Sequence, residues 1–519
     1  MKREQRILWV DDEVELLEPH LFFLRERGYT VETSANGMDA LALIREKPYD
    51  LVLLDEQMPG QSGLQVLSEL RREDPHARVV MVTKSEEDRT LMEAIGRRVD
   101  EYLVKPASPM QVLSVVTRVL QGQQLRQQQA AQDFASRYLQ LQELRDGARD
   151  WRQYAALYDE LTNWDIRLRD AGDTGLADSV EELLVDVRRE FGRYIVQHYT
   201  GWVTGMDADR PALSVDVAER WLLRRADAGP VLFMVIDCLR LDQWRVLAPL
   251  LAERFDIEEE LYYSILPTAT PYSRNAFFSG KYPDAITAEY PTWWRQEEGS
   301  MNAFEDELLR DLLERTGRHV PVHYEKVFTD EGGDDVVARV AGALRAGGVV
   351  ATVFNFIDML THGRSESAIL MEVARDESAL RALTRQWFER STAFRVLELA
   401  AREGVTVVFT TDHGSILCRR PVTVFARRDA TANLRYKFGN DLRAEDPSAV
   451  FSVNDERLLR FPEGPMATNY LFALEDSFFV YPTKLREYQA RYRGSFLHGG
   501  VSPEEMILPI AVLTPRTSR

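Results

Sequence analysis

Short apolar runs alternate with amphipathic stretches over the first 120 residues. The apolar runs are four or five residues long and lie between polar residues, which is typical of buried parallel strands. The stretches between them carry apolar positions three and four residues apart and therefore predict helices. We expect residues 1–120 to form a doubly wound α/β domain, with helices on both faces of a parallel sheet. Its predicted strands are Ile7–Val10, Tyr29–Thr33, Asp50–Leu54, Val79–Val82 and Glu101–Val104.

The pattern changes in residues 121–225, where no strand periodicity is found. The segment opens with QGQQLRQQQAAQ and continues into ASRYLQLQELRD, whose leucines have helical spacing. We therefore predict a helical middle domain whose first helix continues directly from the preceding domain. Residues 121–200 carry fourteen Asp or Glu against ten Arg and no Lys, which disfavours a DNA-reading helix pair.

An α/β pattern returns in residues 226–519. Two intervening stretches, 284–345 and 415–495, are too long for loops in a compact domain, so we expect them to be inserted substructure. The predicted strands are Val231–Ile236, Val349–Phe354, Val405–Phe409 and Met506–Leu513.

Composition narrows the class of protein. The 519 residues carry a net charge of −19, which disfavours non-specific binding to nucleic acid. Two cysteines are too few for a disulfide framework and indicate a reducing compartment. The first apolar run is too short for a signal peptide, and no run of 18 apolar residues predicts a membrane span. We expect a cytoplasmic protein.

Polar residues follow four of the five strands predicted in the first domain. Asp11 and Asp12 follow the first strand, Asp55 the third, Thr83 the fourth and Lys105 the fifth. Each alone is more often an ordinary surface residue, but strand ends of a doubly wound sheet converge on one crevice. Three carboxylates there suit Mg²⁺, and Asp55 would attack phosphorus to become an aspartyl phosphate. Lys105 and the hydroxyl of Thr83 would stabilise the phosphoryl oxygens, with a cis peptide between Lys105 and Pro106 directing the lysine inward.

This arrangement resembles the receiver domain of two-component response regulators. The sequence MPG follows Asp55 at the family's offset, and Tyr102 stands at its aromatic switch position. The resemblance implies phosphorylation of Asp55 by a sensor histidine kinase. The chain departs from the family at Lys84, where a small residue is usual, and a long side chain there is expected to alter access to the phosphoryl group or its removal.

A second constellation lies in the C-terminal α/β region. Its carboxylates and imidazoles suit Zn²⁺ or Mn²⁺. Two metal ions roughly 4 Å apart would clamp a phosphoryl group and activate a hydroxyl nucleophile. Thr270, followed by proline, is predicted to cap a helix at Tyr272–Phe278, whose positive end attracts phosphate. The candidate residues are Asp237, Thr270, Asp358, His362, Asp412, His413 and His498.

These residues resemble the alkaline phosphatase superfamily, and PTATPYSRNAFFSGKYP resembles the nucleophile segment of its phosphodiesterase branch. The resemblance implies that Thr270 is the nucleophile of a two-metal site. It assigns one ion to Asp237, Thr270, Asp412 and His413, and the other to Asp358, His362 and His498.

One position departs from that branch. Ser273 stands three residues after Thr270, where the branch has an asparagine that binds a phosphoryl oxygen. Ser273 or its neighbour Arg274 is expected to bind substrate in its place. The preference between monoesters and diesters stays open.

The order of a receiver, a helical segment and a PglZ-type domain resembles PorX-like regulators, which are associated with type IX secretion. This resemblance implies phosphodiesterase activity, with an oligonucleotide or a cyclic nucleotide as the substrate. It also implies homodimerisation on phosphorylation and a secretion-system or sigma-factor partner.

Plainer interpretations exist for each residue taken singly. Thr270 alone is more often a helix cap, and an Asp412-His413-Gly sequence is more often a turn. Asp358 and His362 are four residues apart, as in a surface pair on a helix. Their order, each near a strand end, favours the metal site.

Two other features favour structural roles. Cys238 follows Asp237 on the predicted strand, points to the opposite face and is expected to be buried. Trp293 and Trp294 would stack a base, but a packing role is favoured because tryptophan usually buries its large surface.

The leading hypothesis is a phosphorylation-controlled metallophosphodiesterase or phosphatase. The first alternative is a non-catalytic signalling scaffold with a structural zinc site, which measured phosphoester turnover would exclude. The second is a DNA-binding regulator, which the acidic middle segment disfavours; we expect no sequence-specific DNA binding.

Overall fold

The computed structural model describes residues 5–74, 77–84, 99–294, 302–364, 367–426, 431, 433–462, 469–482 and 485–516. The chain divides into two compact units, where the sequence predicts three domains. The first unit comprises residues 1–134 and 171–173, and the second comprises residues 135–170 and 174–519.

The first unit contains a parallel five-stranded sheet in the order β2-β1-β3-β4-β5. One buried cluster on each face of the sheet packs it against helices, including Ile7 and Leu53 on one face and Leu8 and Leu54 on the other. The strands are β1 (Gln5–Val10), β2 (Tyr29–Ser34), β3 (Leu51–Asp55), β4 (Val79–Thr83) and β5 (Glu101–Val104), and the helices are α1 (Glu18–Arg25), α2 (Gly37–Glu46) and α3 (Gly63–Glu73). The doubly wound fold and all five predicted strands are confirmed to within two residues at each end.

Three long helices follow, as the sequence predicts. They are α4 (Pro109–Gly147), α5 (Trp151–Asp170) and α6 (Thr174–Thr204). The helix α4 begins in the first unit and ends in the second. Aromatic side chains of α6 pack against the α/β part of the second unit: the rings of Phe191 and Trp202 lie 6.1 and 5.7 Å from the ring of Tyr263. This apolar packing explains why α5 and α6 share one compact unit with the α/β region.

The second unit is built on a six-stranded mixed sheet in the order β7-β19-β10-β6-β9-β8. The four strands β8, β9, β6 and β10 run parallel, and β19 is antiparallel to β10 and β7. The strands are β6 (Val231–Ile236), β7 (Phe255–Tyr263), β8 (Val322–Val327), β9 (Val349–Phe354), β10 (Thr406–Thr410) and β19 (Ile507–Pro515).

Helices connect these strands and cover the sheet. Before β9 they are α7 (Leu241–Leu251), α8 (Thr270–Ser279), α9 (Pro283–Glu289), α10 (Glu305–Arg315) and α11 (Gly333–Ala346). After β9 they are α12 (Phe356–Arg364), α13 (Ala368–Val373), α14 (Glu377–Phe388) and α15 (Thr392–Glu403).

Two strands of this sheet, β7 and β8, were not predicted from the hydrophobic pattern of the sequence. The strand β7 has the sequence FDIEEELYY, whose acids alternate with half-buried positions and break the apolar run. The strand β8 lies within residues 284–345, so that stretch is not simply an insertion and forms an edge of the main sheet. An edge strand packs on fewer sides and needs fewer apolar residues, which hides it from a hydrophobicity pattern.

The described part of residues 415–495 forms inserted substructure, as predicted. Its described strands make three small sheets, β11-β18, β14-β12-β17 and β13-β16-β15, of which β18 follows the stretch. No described helix is both long enough and apolar enough to cross a membrane. The elements are β11 (Ile416–Leu417), β12 (Arg420–Phe425), β13 (Tyr436–Gly439), β14 (Arg443–Ala444), β15 (Val450–Val453), β16 (Asn469–Ala473), β17 (Ser477–Val480), α16 (Leu485–Tyr492), β18 (Phe496–Leu497) and the short helix α17 (Pro503–Met506).

Candidate phosphoryl-acceptor site and candidate metal centre

The strand ends of the first unit bring the predicted acids together. Carboxylate oxygens of Asp11, Asp12 and Asp55 all lie within 4.8 Å of one another. The ammonium group of Lys105 donates to Asp11 Oδ2 at 2.9 Å and to Asp55 Oδ2 at 3.0 Å. Thr83 is buried at the end of β4, the strand that pairs with β3. The crevice therefore holds the five residues that the sequence predicts there.

Asp55 is 1% exposed, and its Oδ1 has no hydrogen-bond partner among the described residues. Burial raises the pKa of the Asp55 carboxyl, although Lys105 opposes the shift. Burial lowers the pKa of Lys105, but its hydrogen bonds to Asp11 and Asp55 outweigh this and raise it. A buried, unpartnered carboxylate oxygen beside two other acids fits a hard cation such as Mg²⁺.

Two local predictions concern the rim of this crevice. The peptide between Lys105 and Pro106 is cis, as expected. Lys84 is exposed, and its effect on the lifetime of a phosphoryl group stays a prediction.

Gly63 is required beside this crevice because a Cβ at that position would lie 2.1 Å from the backbone oxygen of Asp55.

Three parallel strands position the acids of the second constellation. Asp237 follows β6, Asp412 lies beyond the end of β10, and Asp358 lies in α12 just after β9. In the sheet β6 lies between β9 and β10, so the carboxyl ends of all three strands meet at one edge. The acids are therefore brought together by the sheet itself.

Thr270 lies at the start of α8 and faces this edge. Its Oγ1 is 3.0 Å from His413 Nε2 and 3.3 Å from Asp237 Oδ1. The predicted role of Thr270 as N-cap is wrong: the N-cap is Ala269, in an extended conformation, and Pro271 follows Thr270 inside the first turn. The hydroxyl is directed to the acid and the imidazole and does not cap the helix.

The two oxygens of Asp237 have different environments. Its Oδ2 accepts hydrogen bonds from Arg274 at 2.6 Å and from Asn355 Nδ2 at 2.7 Å. Its Oδ1 faces Thr270 and lies 3.6 Å from His413 Nε2. Burial raises the pKa of Asp237, and the neighbouring Arg274 opposes this shift. One oxygen is thus held by protein donors and the other is directed at the nucleophile candidate.

Arg274 has a different environment from the one expected of a substrate-binding residue. Its side chain is 0% exposed and donates to Glu305 at 2.6 Å as well as to Asp237. Ser273 is also buried, and its hydroxyl donates to the backbone oxygen of Ala269 at 2.9 Å. Both side chains thus have internal partners, and direct binding of substrate by Ser273 or Arg274 stays a prediction.

Two histidines present the same ring nitrogen to the centre. Nδ1 of His413 is 3.1 Å from the carbonyl oxygen of Gly414, and Nδ1 of His498 is 3.1 Å from that of Thr268. A carbonyl oxygen only accepts hydrogen bonds, so each Nδ1 donates to it, and each Nε2 is directed to the centre. This orientation is the one that metal-ligating histidines adopt. The two rings stack with centroids 4.3 Å apart.

The predicted residues gather into two overlapping groups of candidate ligand atoms. One contains Asp237, Asp412 and His413, and the other contains Asp358, His413 and His498. His362 adjoins the second group, with its Nε2 3.0 Å from His498 Nε2 and 3.4 Å from Asp358 Oδ1. The division of ligands between two ions stays a prediction, and His413 belongs to both groups.

The electrostatics of the second group suit a cation. Burial lowers the pKa of His498 well below its usual range, and the neighbouring His413 and His362 lower it further. Burial raises the pKa of Asp358, but hydrogen bonding and the charges of the histidines outweigh this and lower it. Asp412 Oδ2 is buried and has no hydrogen-bond partner among the described residues, and Asp358 Oδ1 lies 3.4 Å from His362 Nε2. Carboxylates and imidazoles gathered in this way fit Zn²⁺ or Mn²⁺.

Sequence reasoning missed Asn355 and Glu305. Asn355 directly follows β9, as Asp237 follows β6. Its place at a strand end could therefore have indicated that it belongs to the site. Glu305 begins α10, distant in sequence from Thr270, and no local pattern points to it.

Cys238 is buried as predicted, but for another reason. The strand β6 ends before Asp237, and Cys238 has a φ of 65°, so it lies in a turn. Its backbone N–H donates to Asp412 Oδ1 at 3.3 Å. Trp294 is buried against Tyr272, which confirms packing, while the half-buried Trp293 stacks on Tyr290 with centroids 4.2 Å apart.

Family models match three consecutive parts of the chain. The BREX system PglZ alkaline phosphatase-like domain matches residues 219–513, which are more than half of the 519 residues. The response regulator receiver domain matches residues 7–117, and the PorX response regulator linker domain matches residues 124–203.

Curated relatives cover only part of the chain. The alginate biosynthesis transcriptional regulatory protein AlgB of Pseudomonas aeruginosa is 36% identical over 124 residues, 24% of this chain and 28% of AlgB. The transcriptional regulatory protein ResD of Bacillus subtilis is 34% identical over 117 residues, 22% of this chain and 48% of ResD. The chain thus spans less than half of each relative, so their whole-protein activities are not carried over.

Solved structures of single receiver-type proteins are also similar. The chemotaxis protein CheY4 of Vibrio cholerae is 30% identical, with 23% of this chain and 100% of that chain covered and a TM-score of 0.21. The response regulator TrrA of Thermotoga maritima, in complex with Mg(2+)-BeF, is 36% identical, with 22% and 99% covered and a TM-score of 0.21.

Proposed function

Because the chain belongs to the PglZ alkaline phosphatase-like family and is a PorX-like response regulator, we propose that it is a phosphorylation-controlled metallophosphoesterase. In this proposal Asp55 accepts a phosphoryl group from a sensor histidine kinase, with Mg²⁺ held by Asp11, Asp12 and Asp55. Thr270 is the nucleophile that attacks a phosphoester substrate. The domains are proposed to be residues 1–120, 121–225 and 226–519.

One observation carries the proposal for the second site. Thr270 Oγ1 contacts both Asp237 Oδ1 and His413 Nε2, so the hydroxyl lies among candidate metal ligands. A plain helix cap would bond to the backbone of its own helix instead. Two Zn²⁺ ions, or Mn²⁺ in their place, would lower the pKa of this hydroxyl and neutralise phosphoryl oxygens when bound.

Hydrolysis is proposed to proceed in two steps, in which the residues of the site have different roles. The hydroxyl of Thr270 loses its proton to solvent, Oγ1 bonds to phosphorus, and the bond from phosphorus to the leaving oxygen breaks. The N-terminus of α8, where Thr270 lies, provides the positive end of the helix dipole for the phosphoryl oxygens. The leaving oxygen takes a proton from solvent. A water molecule then attacks phosphorus and gives up a proton, the bond from phosphorus to Oγ1 breaks, and Oγ1 takes a proton. Arg274 and Asn355 hold Asp237 Oδ2 during both steps, which keeps Oδ1 oriented toward Thr270.

The finer assignments rest on the family resemblance. They are an oligonucleotide or cyclic nucleotide substrate, homodimerisation on phosphorylation, and a secretion-system or sigma-factor partner linked to type IX secretion. The proposed cytoplasmic location rests on the sequence composition instead. The effect of phosphorylation on the second site is proposed to act through the helical segment.

The test compares Thr270→Ala and Thr270→Ser with the wild-type protein, using a chromogenic diester and a matched monoester and protein of measured metal content. Thr270→Ala is expected to lose at least 100-fold in turnover while binding metal, and Thr270→Ser to keep part of it, because serine retains the hydroxyl. Thr287→Ala is the matched control, because Thr287 only bonds to its own helix. Normal turnover by Thr270→Ala would refute the mechanism, and metal binding without any turnover by the wild type would favour the scaffold.

A further inference from the structure

Two consecutive acids lie buried beneath the candidate metal centre. Glu504 and Glu505, in the short helix α17, are 1% and 0% exposed. Each pairs with one arginine: Arg435 of the inserted substructure donates to both oxygens of Glu505, and Arg188 of α6 donates to Glu504 Oε1 at 2.6 Å. A buried carboxylate needs such a partner, because burial penalises an unpaired charge heavily. The helical segment thus supplies the positive charge, Arg188, that pairs with the buried Glu504 of the α/β region.

The helix α17 lies against the segments that carry His413 and His498. Gly414 donates its N–H to the backbone oxygen of Glu505 at 3.1 Å. A Cβ on Gly414 would lie 2.0 Å from the backbone oxygen of Glu504, so only glycine permits this approach. Gly500, two residues after His498, donates its N–H to Glu505 Oε1 at 2.9 Å. The position of α17 therefore fixes the backbone next to both histidines.

Arg188 is itself held from two sides. Its second nitrogen donates to Glu181 at 2.8 Å, and Arg419 donates to the same oxygen at 2.9 Å. The same helix contacts the nucleophile segment, since the hydroxyl of Tyr199 accepts the N–H of Leu266 at 2.6 Å. The helix α6 thus contacts both the segment before Thr270 and the short helix behind the histidines.

We propose that Arg188 is a positioning residue of the metal centre, and that its pairing with Glu504 fixes the spacing of His413 and His498. This inference rests on the proposed function for the existence of the metal centre. It assigns the helical segment a direct part in building the site. A displacement of α6 would change the positions of the two imidazoles without any change in the ligands themselves.

The test measures Zn²⁺ affinity of the full chain by competition with a chromophoric chelator, which does not depend on turnover. Arg188→Met is expected to lower the affinity about 10- to 100-fold, the usual effect of removing a group that orients a metal ligand. Arg188→Lys should recover part of the loss, because it keeps the charge. Arg193→Met is the matched control: Arg193 lies on the same helix in an exposed pair with Glu190, and its loss should leave the affinity unchanged.

The double variant Arg188→Met with Glu504→Leu separates positioning from simple charge balance. It leaves no unpaired buried charge, and such replacements are often neutral for folding. The proposal expects it to fold and still bind Zn²⁺ weakly. Wild-type affinity in the double variant, or in Arg188→Met, would overturn the proposal. A wild-type chain that binds Zn²⁺ but hydrolyses nothing would refute the proposed function alone, and one that binds no Zn²⁺ would overturn both.

Discussion

Replacing Arg274 with methionine should destabilise the metal-free protein strongly. The side chain is 0% exposed and donates to Asp237 and Glu305, both at 2.6 Å, while Asp412 lies 3.9 Å away. All three carboxylates are buried. Methionine fills a similar volume but provides no charge, so the acids lose their shared cation.

The expected cost follows from this burial. Removing one partner of a buried ion pair costs about 3–5 kcal/mol, because it leaves an uncompensated charge. Lys326 lies 3.6 Å from Glu305 and partly compensates that acid, whereas Asp237 keeps the neutral donors Asn355 Nδ2 and Thr270 Oγ1. We therefore expect the free energy of unfolding to fall by about 3–5 kcal/mol. Bound Zn²⁺ should reduce the loss in free energy of unfolding that Arg274→Met causes, because a bound cation would replace the missing charge beside Asp237.

Urea unfolding of metal-free and Zn²⁺-loaded protein measures both effects. Arg254→Met is the control, because Arg254 and Glu398 form a pair that is 37% and 36% exposed, and such a pair contributes roughly 0–1 kcal/mol. A loss for Arg274→Met no larger than that of the control would refute the charge-compensating role. A loss that Zn²⁺ leaves unchanged would contradict the assignment of Asp237 as a metal ligand.

Three further results are expected. Asp55→Asn should take up no label from [³²P]acetyl phosphate, because the amide of asparagine is not a nucleophile as the carboxylate is; an equally labelled variant would identify another acceptor. Burial raises the pKa of Glu181, but Arg188 and Arg419 outweigh it and lower the pKa from 4.5 to about 2. Its stabilising contribution is therefore present above pH 4.5 and lost as the pH falls toward 2, and urea unfolding of Glu181→Gln should show a weaker pH dependence there. Cys238 and Cys418 are buried, with raised pKa values, so a thiol reagent should label neither before denaturation; rapid labelling of the native protein would contradict their burial.

The convergence of acids at strand ends was predictable from the sequence. Asp11, Asp55, Asp237 and Asp412 each lie at or just beyond the end of an apolar run, and parallel strands bring such positions to one edge. The periodicity of the runs therefore predicted the strands that carry these acids, although it missed the edge strands β7 and β8 of the second sheet. It required no information on residues distant in sequence.

The partners of these acids were not predictable in the same way. Arg274 was expected to contact substrate, because nothing in its own segment reveals that Glu305 and Asp237 enclose it. The pairing of Arg188 with Glu504 joins residues 316 positions apart. Such contacts depend on how α6, α8 and α17 pack. A local pattern of polar and apolar residues predicts the helices but not the packing between them.

We propose that this one chain joins a phosphoryl acceptor to a metal-dependent phosphoesterase. The most direct test measures phosphoester turnover by metal-loaded wild type and Asp55→Asn, each with and without beryllofluoride as a phosphoryl mimic. We predict turnover in both proteins, and a change on adding beryllofluoride in the wild type only. Turnover that beryllofluoride leaves unchanged in the wild type, or no turnover from a folded, metal-loaded chain, would contradict the account.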